Sequence, residues 1–130
     1  MGRRAPHRLA VALLAVALAA AGCGGDDGEA GAAPPSEAFC RAAEAYDTAM
    51  TASEKPPVAE QVRLVAAMAR TAPVDVRDDA RTFLTAMRRV ERDPRDPRAV
   101  DNPAVQEAVD NVNRRVQKGC PFFEQDGGGI

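Results

Sequence analysis

The chain has 130 residues with 17 basic and 19 acidic side chains, a net charge of −2, three cysteines, one histidine and no tryptophan. A chain of this length builds one small domain, and its mildly acidic charge balance does not suggest a nucleic-acid partner. Its single histidine is His7, so any domain further along the chain lacks the imidazole that most zinc sites and acid–base catalysts use.

The first element along the chain is a leader. Arg3, Arg4 and Arg8 precede an uncharged apolar run, residues 9–21, which ends at Gly22-Cys23. The run is shorter than the roughly 20 residues that a membrane-spanning helix needs. A basic start, an apolar run and a small-residue end are the pattern of a secretory signal peptide, here residues 1–22, which is removed after export.

The end of the leader resembles the lipobox of bacterial lipoproteins. In residues 18–23, LAAAGC, Ala21 and Gly22 match that pattern, while Ala20 stands where the family prefers leucine. The resemblance implies that Cys23 is acylated on sulfur and anchors the chain to the extracytoplasmic face of the bacterial cell membrane. The alternative is an ordinary signal peptide cut after Ala21, which leaves Cys23 as a free thiol. Lipidation of Cys23 leaves an even pair of cysteines, as an oxidising compartment favours.

A tether, a domain and a tail follow the leader. Residues 23–35 are glycine, proline, acidic and other small residues with nothing to bury, which predicts a flexible acidic tether behind the lipidated cysteine. Residues 36–123 form the domain, and residues 124–130, with three consecutive glycines, predict a disordered tail. Without the leader, 14 basic residues face 19 acidic ones, so the lipid, rather than a basic patch, holds the protein at the membrane.

The domain has helical periodicity and no alternating strand pattern, which predicts an all-α fold of four helices. The first runs from an N-cap at Ser36 to about residue 53, and the second covers about residues 58–70. The third runs from near Asp75 to about residue 92. The fourth follows an N-cap at Asn102, with Pro103 at its first position, and stops at Gly119.

Each predicted helix carries one apolar stripe at spacings of three and four residues. The stripes are Phe39, Ala43, Tyr46 and Met50; Val58, Val62, Val65 and Ala69; Val76, Ala80, Phe83, Leu84, Met87 and Val90; and Val105, Val109, Val112 and Val116.

The two cysteines of the domain predict a disulfide that closes the fold. Cys40 lies in the first turn of the first helix, and Cys120 lies just beyond the fourth. In an up-down four-helix bundle these two ends meet at the same pole, whereas three helices would put them at opposite poles. Helix count and cysteine parity therefore support each other and predict a small up-down bundle closed by Cys40–Cys120.

The domain offers few groups for catalysis, and we predict no metal, no cofactor and no enzymatic activity. Asp75, Asp78 and Asp79 cluster at the start of the third helix, where a hydrolytic pair or a calcium site is conceivable. The spacing is not that of a calcium loop. Acids in the first turn of a helix more commonly complement its dipole and cap its free N–H groups, which is the interpretation we favour.

Two segments are candidates for contact with a partner. Residues 92–98, RDPRDPR, are predicted to form one loop that carries Arg92, Arg95 and Arg98, which could bind phosphate or the carboxylates of a partner. Acidic residues are interleaved with these arginines, so we favour a solvated, stiff linker. Phe122 and Phe123 either plug one pole of the bundle, which we favour, or present an exposed apolar dock.

Taken whole, the chain resembles the small helical lipoproteins of GC-rich bacteria, which share no single activity. The absence of catalytic groups favours an interaction or accessory module that binds an unspecified protein of the cell envelope. The alternative is a carrier whose helices part around a small apolar ligand or lipid. An enzyme working with carboxylates alone ranks last.

Overall fold

The computed structural model describes residues 33–125, and this part of the chain is helical without any strand. The predicted leader, Cys23 and residues 126–130 of the predicted tail lie outside it. Two short 3-10 turns, Val74–Val76 and Pro97–Ala99, accompany five α-helices. The helices are α1 (Glu37–Thr51), α2 (Val58–Thr71), α3 (Arg77–Arg92), α4 (Pro103–Gly119) and α5 (Pro121–Gln125).

The two predicted N-caps are present. The Ser36 hydroxyl accepts a hydrogen bond from the Phe39 N–H at 3.2 Å, and the Asn102 side chain accepts one from the Ala104 N–H at 2.9 Å. Both contacts satisfy N–H groups that a helix start otherwise leaves without a partner. The third helix begins at Arg77, later than predicted, because a 3-10 turn occupies Val74–Val76.

The prediction of four helices misses α5. Its N–H groups at Phe123 and Glu124 both donate to the Cys120 carbonyl, at 3.0 and 3.4 Å, and Pro121 occupies its first position. Proline is well tolerated there, because the first turn of a helix needs no N–H donor. The first two residues of the predicted tail, Glu124 and Gln125, are therefore helical.

The core lies among the helices and is lean in large side chains. Consecutive helices pack on one another, α1 on α2, α2 on α3 and α3 on α4. Phe39, Val65 and Cys120 are the largest fully enclosed side chains of the described part, and Phe39 is the one aromatic ring among them. Tyr46 and Phe83 meet edge to face across α1 and α3, with ring centroids 5.8 Å apart, at the margin of this core.

Cys40 and Cys120 join the start of α1 to the end of α4. Their sulfur atoms are at bonding distance and their Cα atoms are 5.3 Å apart, in agreement with the predicted pairing. Elsewhere along their described lengths, α1 and α4 have no extensive backbone contact with each other, whereas α5 contacts both. The disulfide and α5 therefore hold together two helices that otherwise stand apart.

Arg115 fastens the entry of the chain to the same end of the domain. Its guanidinium donates to the Ala33 carbonyl at 2.6 Å and, through Nε, to the Asp75 carboxylate at 2.7 Å. The side chain of Arg115 is only 15% exposed, so this ion pair is better shielded from water than an ordinary surface pair. The last residues of the predicted tether, from Ala33 onward, are thus part of the domain.

Gly119 is required for a reason other than the predicted helix stop. A Cβ at this position would lie 2.7 Å from Cδ and 2.8 Å from Cγ of Pro35. The pyrrolidine ring therefore rests directly on the glycine, and Cys120, which follows it, is in extended conformation. Close approach of the entering chain, rather than a left-handed backbone, explains the glycine.

We expect Gly119→Ala to destabilise the domain by about 1 kcal/mol, because overpacking against Pro35 outweighs the gain in helix propensity. Urea unfolding measures the loss. The double variant Pro35→Ala/Gly119→Ala removes the obstructing ring and should regain most of it, as a double-mutant cycle reports. Equal losses of unfolding free energy in the single and the double variant would contradict the proposed contact between Pro35 and the added Cβ.

Within residues 33–125, no helix is long and apolar enough to cross a membrane.

Candidate binding surfaces

The three predicted carboxylates at the start of α3 are engaged with neighbouring side chains and do not cap the helix. Asp75 pairs with Arg115, Asp78 lies 3.4 Å from Arg81, and Asp79 accepts a hydrogen bond from the Asn111 amide at 3.2 Å. No side chain caps the N-terminus of α3. Within the described residues, no three potential ligands gather into a metal site.

The RDPRDPR segment is a repeat in structure as well as in sequence. The Asp93 carboxylate accepts the Arg95 N–H at 3.1 Å, and the Asp96 carboxylate accepts the Arg98 N–H at 2.9 Å. Each Asp-Pro-Arg unit therefore folds into one side-chain-stabilised turn, which gives a stiff connection between α3 and α4. The side chains of Arg95 and Arg98 are exposed on this loop, whereas Arg92, which was predicted to lie in it, is the exposed last residue of α3.

The two phenylalanines of α5 have different surroundings. Phe123 is half-buried and packs against the core, whereas Phe122 is 38% exposed. Their rings meet edge to face with centroids 4.9 Å apart. The favoured interpretation as a plug thus describes Phe123 and is wrong for Phe122, which rests on the outside of its neighbour.

A shallow groove of about 450 Å³ runs between α2 and α3, and we call it the arginine-rimmed groove. Its apolar lining consists of Ala66 and Ala69 from α2 and Leu84 from α3. Four arginines stand around these residues: Arg70, Arg77, Arg81 and Arg88. Sequence analysis missed this set and selected the loop arginines instead, although spacings of four and seven residues place Arg77, Arg81 and Arg88 on one face of a helix.

The charges of the groove are only lightly compensated by the described residues. Arg77 donates to the Ala72 carbonyl at 3.4 Å, and Arg81 approaches the fully solvated Asp78 at the same distance. Neither Arg70 nor Arg88 forms an ion pair with another described residue. Guanidinium groups in this state are available to carboxylates or phosphates, which they bind in two-pronged geometry.

A second recess, the α1–α4 cleft, lies where α1 and α4 stand apart. Its volume is about 340 Å³. The floor reaches the hydrophobic core, and Phe123 from α5 contributes to one side. Its apolar lining includes Ala43, Met68, Phe83, Val109, Val112 and Val116.

Four polar side chains complete the lining of the α1–α4 cleft: Tyr46, Asp47, Asn113 and Gln117. The Tyr46 phenol is a neutral hydrogen-bond donor at neutral pH, and burial raises its pKa further from that range. The Asp47 carboxylate has no ion pair with any other described residue. Asp47 is the one charged residue among the described residues that line the cleft.

These two recesses differ in the chemistry they offer. The arginine-rimmed groove is open and cationic, while the α1–α4 cleft is more enclosed, apolar at its floor and acidic at one point. The functional assignment depends on this geometry, because no protein family, curated protein or solved structure matches the chain.

Proposed function

We propose that this protein is an extracytoplasmic lipoprotein, anchored through lipid on Cys23, whose helical domain binds another envelope protein. The partner docks an acidic amphipathic helix in the arginine-rimmed groove. The observation that carries the proposal is the clustering of Arg70, Arg77, Arg81 and Arg88 around an apolar strip. The proposal assigns the domain no catalytic step.

The leader and the cysteine count support the anchor. The apolar run ends at Gly22-Cys23, and lipidation of Cys23 accounts for the odd cysteine of an exported chain. Two or more acyl chains make such an anchor stable. A mass spectrum of the protein purified from membranes of a lipoprotein-competent host should carry the acyl mass on Cys23, and an unmodified thiol there would refute the anchor.

We further propose that α1 to α4 form an up-down four-helix bundle. Consecutive packing of the helices supports this topology, as does the disulfide between the start of α1 and the end of α4. In an up-down bundle, the connection between α2 and α3 lies at the same pole as the end of α4. The ion pair between Asp75, in that connection, and Arg115, near the end of α4, is expected for this arrangement. In such a bundle the arginine-rimmed groove lies along two antiparallel helices, a surface that a third helix can follow.

The dimensions of the groove fit a short helix. From Arg77 to Arg88, α3 advances roughly 16 Å, or three helical turns. The small side chains of Ala66 and Ala69 let a partner's backbone approach closely, and Leu84 offers an apolar contact at the centre. Carboxylates at the flanks of the partner helix would face the arginines, in the manner of amphipathic helices that bind in grooves.

A designed peptide tests the docking. The probe is an amphipathic helix of about four turns with a Leu/Ala stripe flanked by glutamates, and its counterpart carries lysines in their place. We expect fluorescence anisotropy to show tighter binding of the acidic peptide to the mature chain, residues 23–130 with Cys23→Ser. Arg77→Glu/Arg88→Glu should weaken it about tenfold, since each reversed charge contributes roughly 0.5–1 kcal/mol.

The matched control reverses two loop arginines, Arg95→Glu/Arg98→Glu. This variant has the same net charge and should bind the acidic peptide within about threefold of the parent chain. Equal losses in the two variants would mean that overall charge, rather than the groove, attracts the peptide. In another outcome, the protein binds phosphatidylglycerol vesicles through the arginines of the groove and fails to bind the peptide. That result would overturn the proposal of a protein partner and indicate an anionic membrane surface.

A further inference from the structure

We propose that the α1–α4 cleft is a second binding site, specific for a small amine with an apolar body. This site lies between helices other than those of the arginine-rimmed groove, and its occupant is a single small molecule rather than a protein. The inference depends on the shape of the cleft, on its apolar floor and on the placement of Asp47 and Tyr46 in its lining.

The cleft has the size and composition of a ligand site. Its volume, about 340 Å³, is at the lower end of the range for small-molecule pockets. At the share of volume that a water molecule occupies in the liquid, about 30 Å³, it accommodates roughly ten to twelve non-hydrogen atoms. Met68, Val112 and Val116 at the floor are each less than a tenth exposed, so an apolar chain reaching them leaves water almost completely.

The two helices that border the recess are joined at one end of the domain. The disulfide fixes α1 to α4 at one end, and α5 contacts both helices there. Phe123, held on α5, stands between them as part of the lining. The edge-to-face contact of Tyr46 and Phe83, in turn, orients the phenol of α1 within the lining. The cleft is therefore built by side chains whose positions are fixed elsewhere in the fold.

Charge selects among apolar ligands of this size. A carboxylate ligand would face Asp47 without any lysine or arginine among the described lining residues to pair with it. An ammonium group would instead pair with Asp47, and the side-chain oxygens of Asn113 and Gln117 in the same lining are further acceptors for its N–H groups. The Tyr46 phenol adds an acceptor oxygen, and no described residue hydrogen-bonds to it.

Three straight-chain probes of eight carbons each test the ligand class: octylamine, octanol and octanoate. Each is titrated into the mature chain, residues 23–130 with Cys23→Ser, and binding is followed by amide shifts in NMR spectra and by calorimetry. We expect octylamine to bind roughly tenfold more tightly than octanoate, because attraction to Asp47 for one and repulsion for the other act in the same direction. Asp47→Asn should abolish that difference and leave the affinity for octanol unchanged.

A second pair of variants tests the location. Val109→Trp fills the cleft and should remove octylamine binding, whereas Val105→Trp, one turn earlier on α4 and outside this lining, should retain it. Equal affinities for octylamine and octanoate would overturn the choice of an amine. Failure of all three probes to bind, or binding unaffected by Val109→Trp, would overturn the site itself. Neither result bears on peptide binding in the arginine-rimmed groove.

Discussion

Reduction of the Cys40–Cys120 disulfide is expected to lower the melting temperature of the domain by on the order of 20 °C. The two cysteines are separated by 80 residues, and closing a loop of that length removes conformational entropy worth about 4 kcal/mol from the unfolded chain. This free energy is a large share of the stability of a small domain whose described core encloses a single aromatic ring, Phe39, completely.

Thermal unfolding followed by circular dichroism, with and without reductant, measures the effect. The chain should carry Cys23→Ser, so that no third thiol exchanges with the pair. The variant Cys40→Ala/Cys120→Ala serves as the control, since it should melt near the temperature of the reduced protein and ignore added reductant. An unchanged melt of the parent chain on reduction would refute the stabilising role of the disulfide.

Phe39→Ala should destabilise the domain by about 3–5 kcal/mol, the usual loss when a buried phenylalanine is truncated. Phe39 is 0% exposed and packs in the core cluster with the residues around Cys120. A small domain has only about 5–10 kcal/mol of stability in total, so this variant is expected to be partly unfolded at 37 °C.

Phe122→Ala is the matched control for the truncation of Phe39. Its ring is 38% exposed and its principal aromatic contact is the neighbouring Phe123, so we expect a loss below about 1 kcal/mol. Urea unfolding of both variants under oxidising conditions makes the comparison. Similar losses at the two positions would contradict the assignment of Phe39 to the core and of Phe122 to the surface.

Helix positions could be predicted from the sequence because their signals are local. Ser36 and Asn102 provide caps through their own side chains, and prolines separate the helices, so neighbouring residues suffice to place the boundaries. The short helix α5 was missed for the same reason. Its five residues are too few for a periodic pattern, and it depends on the disulfide and on packing against α1 and α4.

The roles of charged residues were harder to predict, since they depend on contacts distant in sequence. Asp75 was expected to act within its own helix, yet it pairs with Arg115, forty positions away. The arginine cluster was sought in the RDPRDPR loop, where the repeat is conspicuous in the sequence. In the fold, Arg70 on α2 joins Arg77, Arg81 and Arg88 on α3, a set that appears only once the two helices are side by side.

The α1–α4 cleft could be named from the sequence only as a general alternative. Apolar stripes on α1 and α4 predict that both helices face the core, but they do not determine the distance between the two. That distance follows from Phe123 and from the disulfide, which connect the helices at one end. A cavity of this kind is set by backbone placement, which composition and periodicity do not encode.

Arg115 and the Cys40–Cys120 disulfide fasten the entering chain to one end of the domain, and this attachment has a mechanical consequence. Tension on the entering chain first meets the hydrogen bond from Arg115 to Ala33, and then the cross-link at Cys40. Beyond that residue, the two sulfur atoms transmit the load directly to Cys120, and from there it passes into α5. If the chain is pulled between its two ends, the residues between the two cysteines carry no tension. The force therefore does not unfold the helices that lie inside the disulfide loop.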